Sequence, residues 1–171
     1  WITKIGCNTS IVCLILAVFG FILAPGLTSQ VRTKIHINLC VNLILANFLL
    51  LSGVKNARES SLLCGLTAMG LHYLYLTAFC WMCIEGLHLY ISLVKVFTVD
   101  SKSTNRWYHL LSYSIPAMIV SITFLFSDQN NPKRRIYGVL GEHCWINSQH
   151  YSRLAFVLPV SIICFLNIFF L

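Results

Sequence analysis

Long apolar runs separated by short polar connections set the pattern of this chain. Five stand out: residues 5–24, 35–54, 62–97, 107–126 and 154–171. The third is the most continuous. From Leu62 to Ile84 it holds no Asp, Glu, Lys or Arg, and Glu85 then follows. A bilayer-spanning helix needs roughly 20 predominantly apolar residues, so each run predicts one span. The first run closes at Pro25-Gly26, a strong breaker pair. It exceeds the ~7–15 apolar residues of a signal peptide and four similar runs follow it, so it reads as a genuine first span. Pro116 and Pro159 fall inside the fourth and fifth runs. Membrane helices tolerate such prolines where neighbours satisfy the freed carbonyl.

Composition agrees with the pattern. Hydrophobic residues make up 57%, charged residues 10%, and the mean hydropathy is +0.77, against about 25% charged residues in soluble domains. The fold class is therefore an all-α membrane protein. The net charge of +7 comes from residues lying almost wholly between the apolar runs, where they serve as flanking and snorkelling charges. They form no continuous basic stripe, which argues against a nucleic-acid partner. No Ser-His-Asp set, Gly-rich phosphate loop or metal-spaced cluster stands where water reaches it, so neither an enzyme, a bound metal nor a cofactor is expected. There is no visible internal repeat, which disfavours repeat-built transporters.

The second run carries His36, Asn38, Asn42 and Asn47, unusually polar for a lipid-facing helix. His36, Leu43 and Asn47 share one helical stripe, which should face a bundle interior. On the third run Cys64 and Glu85 are 21 positions apart, which is ~31 Å of helix, close to the ~30 Å hydrocarbon thickness of a bilayer. The two therefore mark opposite lips of the membrane. A carboxylate on a spanning helix is costly and needs a partner in the protein interior. His36, at the start of a run that returns from the short 26–33 connection, lies near the same lip as Glu85. A His36–Glu85 contact would hold spans two and three in register. It reads equally as static packing, as a contact made and broken in function, or as part of a proton relay.

Lys and Arg do not fix orientation. Alternating spans put Arg32, Lys34, Lys95, Lys102 and Arg106 on one side and Lys4, Lys55, Arg58, Lys133, Arg134, Arg135 and Arg153 on the other. The cysteines say more. Six of the eight (Cys7, Cys13, Cys40, Cys80, Cys83 and Cys164) lie within apolar runs and read as small packing residues. Cys80-x-x-Cys83 has no second ligand pair. Cys64 and Cys144 lie at span ends on one side, and a disulfide there needs an oxidising compartment. That side would be extracellular or lumenal, with the amino terminus on it.

The residues Thr33-Lys34-Ile35-His36-Ile37-Asn38-Leu39-Cys40, then Cys64, Trp81-Met82-Cys83-Ile84-Glu85-Gly86-Leu87-His88-Leu89-Tyr90, and Cys144-Trp145 carry a resemblance over nearly the whole chain. In order and spacing they resemble the adhesion G-protein-coupled receptors, the self-activated branch of the secretin-like class. The resemblance implies a partial seven-transmembrane helix bundle containing spans one to five, in the plasma membrane. It implies an upstream autoproteolysis domain whose cleavage leaves a tethered peptide agonist, and a heterotrimeric G protein on the inner side. Cys64–Cys144 would tie span three to the second outer loop, with Trp145 leaning over the agonist. His36 and Glu85 would belong to an inner polar lock completed by spans six and seven, and Asn167 fits the Asn of span five.

Ala68, Leu71, His72, Tyr75 and Phe79 recur on one helical face and form a candidate wall for an apolar agonist, with Trp145 and Leu154; the same stripe also reads as plain interhelical packing. Candidate G-protein contacts are Arg32, Leu93, Val94 and the apolar anchor Phe97, while Lys95 and Lys102 suit anionic lipid headgroups. Two departures from the family pattern stand out. Ser112-Tyr113-Ser114 replaces the usual Gly-Trp-Gly of span four, and Leu154 stands where many members carry a Trp before the proline of span five. The rival readings are a peptide-hormone receptor of the same class and a proton-coupled transporter using His36 and Glu85. The sequence upstream of Trp1 discriminates the first rival, and pH-dependent flux the second.

Overall fold

The computed structural model describes residues 2–24, 26, 30–59, 61–94, 101–126, 136–140, 143–146 and 150–170. Five helices and one hairpin follow in order: α1 (Ile2–Leu23), α2 (Val31–Glu59), α3 (Ser61–Val94), α4 (Ser101–Leu125), β1 (Tyr137–Leu140), β2 (His143–Ile146) and α5 (His150–Phe170). Among the described residues α1 to α4 are long and apolar enough to cross a membrane, and α5 contributes a shorter apolar stretch, Leu154–Phe169. In hydrocarbon each backbone polar group must be paired within its own segment, which is why the apolar runs become helices. Polar side chains within them obey the same rule. Thr9, Ser52, Thr67, Thr77, Ser92 and Thr123 each donate to the carbonyl four residues earlier.

The third helix organises the bundle. Along its length α3 packs against α2, α4, α5 and both strands, while α1 lies against α2. The turn from α1 to α2 passes through Gly26 at φ +86°, a left-handed conformation that favours glycine. Gly70 leaves room for the Leu49 side chain of α2, since a Cβ there would stand 2.8 Å from Leu49 Cδ2. Two buried layers result. One gathers Cys64, Ala68, Tyr137, Cys144 and Ile146; the other gathers Ile35, Trp81, Ile84 and Tyr108. Large apolar residues, among them Leu16, Phe19, Phe48, Met118 and Phe165, are exposed on the helices, a surface compatible with hydrocarbon.

The hairpin has no counterpart in the apolar pattern. Its two antiparallel strands pair Tyr137 with Ile146 and Val139 with Cys144. Alternation along a strand puts Tyr137, Cys144 and Ile146 on one face, and all three are buried against the bundle. Residues 127–135, with the Asn-Asn-Pro and basic triplet, lie outside the described residues.

Candidate functional site

The helix α3 carries a covalent tie near its start and a polar couple 21 residues later. At the first end Cys64 and Cys144 form a disulfide with a Cα–Cα distance of 5.1 Å across 80 residues of sequence. Three elements converge there. The Gly53 carbonyl of α2 lies 3.4 Å from Cys144 Sγ, and a Cβ on Gly53 would meet Thr67 Cγ2 at 3.2 Å. Tyr137, on the inward face of β1, brings its hydroxyl within 2.8 Å of His72 Nδ1. Burial pushes the Tyr137 phenol up to about 12, against a smaller lowering by the Thr123 side chain.

Beyond this tie the candidate wall assembles around one aromatic side chain. Ala68, Leu71 and His72 are fully buried, and Tyr75 and Phe79 are half-buried. Trp145 meets Tyr75 at a centroid distance of 5.8 Å. Phe156 of α5 meets Trp145 at 5.8 Å, His72 at 5.8 Å and Phe79 at 6.4 Å, always edge to face, the favoured geometry for such pairs. Sequence alignment on Pro159 points instead to Leu154, which is 50% exposed. Two residues on a helix are about 200° apart, so Leu154 and Phe156 present opposite faces. Only knowledge of which face α5 turns to α3 selects Phe156.

At the other end His36 Nε2 stands 3.3 Å from Glu85 Oε1, with side-chain exposures of 31% and 36%. Phe21 of α1 stacks flat on the imidazole, at 5.7 Å between centroids and 5° between planes. Three helices thus contribute one residue each, and Phe21 carries no polar signal that sequence reading would register. A contact this exposed, at 3.3 Å, contributes on the order of 0–1 kcal/mol. A free energy of that size biases an equilibrium by up to about fivefold.

Between the ends lies a polar layer. Asn38 and Asn42 of α2 meet the Tyr113 hydroxyl of α4, whereas Asn47 turns to α1 and donates to Ser10 Oγ. Past Glu85 on α3, His88 sits against the Tyr108 hydroxyl, 3.4 Å from Nδ1. The Oδ1 of Asn167 is buried with no hydrogen-bond partner among the described residues. Near the His36–Glu85 end Arg32, Leu93 and Val94 are exposed, the last two at 72% and 61%. Phe97 and Lys95 lie outside the described residues, as does the side chain of Lys102. No group of three or more His, Cys, Asp or Glu with metal-holding geometry occurs among the described residues.

A bundle of long apolar helices grouped around the third, disulfide-tied to a hairpin at one end and joined by a His–Glu couple at the other, is that of a multi-pass membrane-helix domain. The family model described as "7 transmembrane receptor (Secretin family)" matches residues 1–171. The chain belongs to that family. It is 37% identical over 170 residues to adhesion G protein-coupled receptor L1 of Homo sapiens, covering 99% of this chain and 11% of that protein. It is also 37% identical over 169 residues to adhesion G protein-coupled receptor E5 of Mus musculus (97% and 20%) and 34% identical over 167 residues to its Homo sapiens counterpart (97% and 19%). The likeness is thus to adhesion receptors, and the chain spans between 11% and 20% of the length of these relatives.

Proposed function

We propose that the chain is the first five spans of an adhesion-type receptor domain, activated by a tethered peptide agonist from its own upstream segment and signalling to heterotrimeric G proteins. The observation that carries this reading is the pairing of two features on α3: the Cys64–Cys144 tie at one end and the 3.3 Å His36–Glu85 contact at the other. The disulfide end faces outside, since a disulfide persists in an oxidising compartment, and the amino terminus lies on that side of the plasma membrane.

The agonist lies against Tyr75, Phe79 and Trp145, with Phe156 as the α5 contact in place of Leu154, while Ala68, Leu71 and His72 back this wall from fully buried positions. The wall's aromatic character supports an apolar peptide. The inner polar lock is His36–Glu85, and its opening accompanies binding of the G protein at the exposed face near Arg32, Leu93 and Val94. Phe97 belongs to the same contact by its place in sequence, and Lys95 and Lys102 meet anionic lipid headgroups.

The test is basal signalling of the full-length receptor carrying His36→Ala or Glu85→Ala. Changed basal activity at unchanged surface expression supports the lock; wild-type activity in both variants removes it.

A further inference from the structure

The Tyr113 hydroxyl stands between two α2 amides. It donates to Asn38 Oδ1 at 3.3 Å and accepts from Asn42 Nδ2 at 3.3 Å. Both amides are held in place by α2 itself. Asn38 Nδ2 donates to the Lys34 carbonyl and Asn42 Nδ2 to the Asn38 carbonyl, each at 2.8 Å. On the other side the Tyr113 ring meets Trp81 edge-on at 5.8 Å and stacks on His109 at 6.2 Å. Asn42 is 3% exposed, so water does not stand in for the phenol.

We propose that Tyr113 is a positioning residue that holds α2 and α3 in the register in which His36 meets Glu85; the inference rests on the lock described above. One α4 side chain touches both helices that carry the lock, close to each partner. Asn38 lies two residues beyond His36, ~3 Å along the axis, and Trp81 lies four residues before Glu85, ~6 Å along it. A slide or rotation of α2 that draws His36 from Glu85 therefore also draws Asn38 and Asn42 from Tyr113. The residue type matters. A phenol both donates and accepts, while an indole only donates, so a tryptophan at 113 would serve Asn38 and leave Asn42. The departure of Ser112-Tyr113-Ser114 from Gly-Trp-Gly thus gives this chain a second α2–α4 bond.

The experiment uses the full-length receptor in three double-mutant cycles. In detergent, thermal midpoints are measured for Tyr113→Phe, Tyr113→Trp, Asn42→Leu, His36→Ala and the doubles with Tyr113→Phe. Tyr113→Phe lowers the midpoint and Tyr113→Trp recovers part of the loss. The Tyr113→Phe effect shrinks when Asn42 is Leu, leaving the share of the Asn38 bond, and it also shrinks when His36 is Ala, a residue Tyr113 does not touch. Additive losses with Asn42→Leu overturn the bridge, and additive losses with His36→Ala overturn the positioning role. In cells, Tyr113→Phe shifts basal signalling by roughly three- to tenfold in the wild type and leaves Glu85→Gln unchanged. An equal shift in both backgrounds also overturns the positioning role. A wild-type receptor that does not signal defeats the proposed function instead, and the midpoint cycles still decide the bridge and its reach to His36.

Discussion

Removing the Cys64–Cys144 disulfide by a paired Cys64→Ala, Cys144→Ala change tests how the hairpin is held. The bond closes a loop of 80 residues, for which the chain-entropy relation assigns about 4.5 kcal/mol. That is an upper bound, because α3 and α4 persist as helices in a bilayer and the unbridged chain is already restricted. Side chains add to the covalent tie. Tyr137 and Ile146 are buried at 6% and 2% exposure, each contributing on the order of 1.5–3 kcal/mol. Two to four kcal/mol lost from a domain of this size lowers the thermal midpoint by about 5–15 °C, with the hairpin still docked. Intrinsic tryptophan fluorescence on heating the full-length receptor in detergent gives the midpoint, and limited proteolysis after residue 126 reports docking. Adding Tyr137→Ala to the double variant should then release the hairpin. A double variant with the wild-type midpoint would refute the entropic reasoning. One whose hairpin is cleaved freely would refute the anchoring by Tyr137 and Ile146.

Two further outcomes follow from the same packing. The Tyr137 phenol is pushed up to about 12 by burial, above its unfolded value of roughly 10. The folded state therefore holds the proton more tightly, and the resulting stability, fully present below about pH 10, is lost as pH rises towards 12; Tyr137→Phe should flatten the decline in midpoint over that window. Gly70→Ala places a methyl 2.8 Å from Leu49 Cδ2, the far end of a flexible side chain, so Leu49 swings aside and the cost stays below the ~1–3 kcal/mol of rigid overpacking; a midpoint loss of that full size would show that Leu49 is held in place.

Much of the bundle is legible in the chain because lipid imposes one rule on every span. Counting residues along a helix places Cys64 and Glu85 a bilayer apart, and the short 26–33 connection returns His36 to the Glu85 side. The hairpin escapes that rule, since strands of four residues in a polar connection leave no apolar run to detect. Phe156 and Phe21 escape it for another reason. Both are apolar residues in apolar helices, so only the rotation of α5 and α1 against their neighbours separates them from lipid-facing residues. Tyr113 is visible in sequence as a departure, yet its two α2 partners emerge only when α4 is laid beside α2.

His36 and Glu85 form one contact, and the proposed function couples its breaking to signalling. A double-mutant cycle on basal signalling tests it most directly, using His36→Ala, Glu85→Ala and the double variant at matched surface expression. The double variant should signal like the stronger single variant, because both changes remove the same contact. Effects that multiply independently would contradict it.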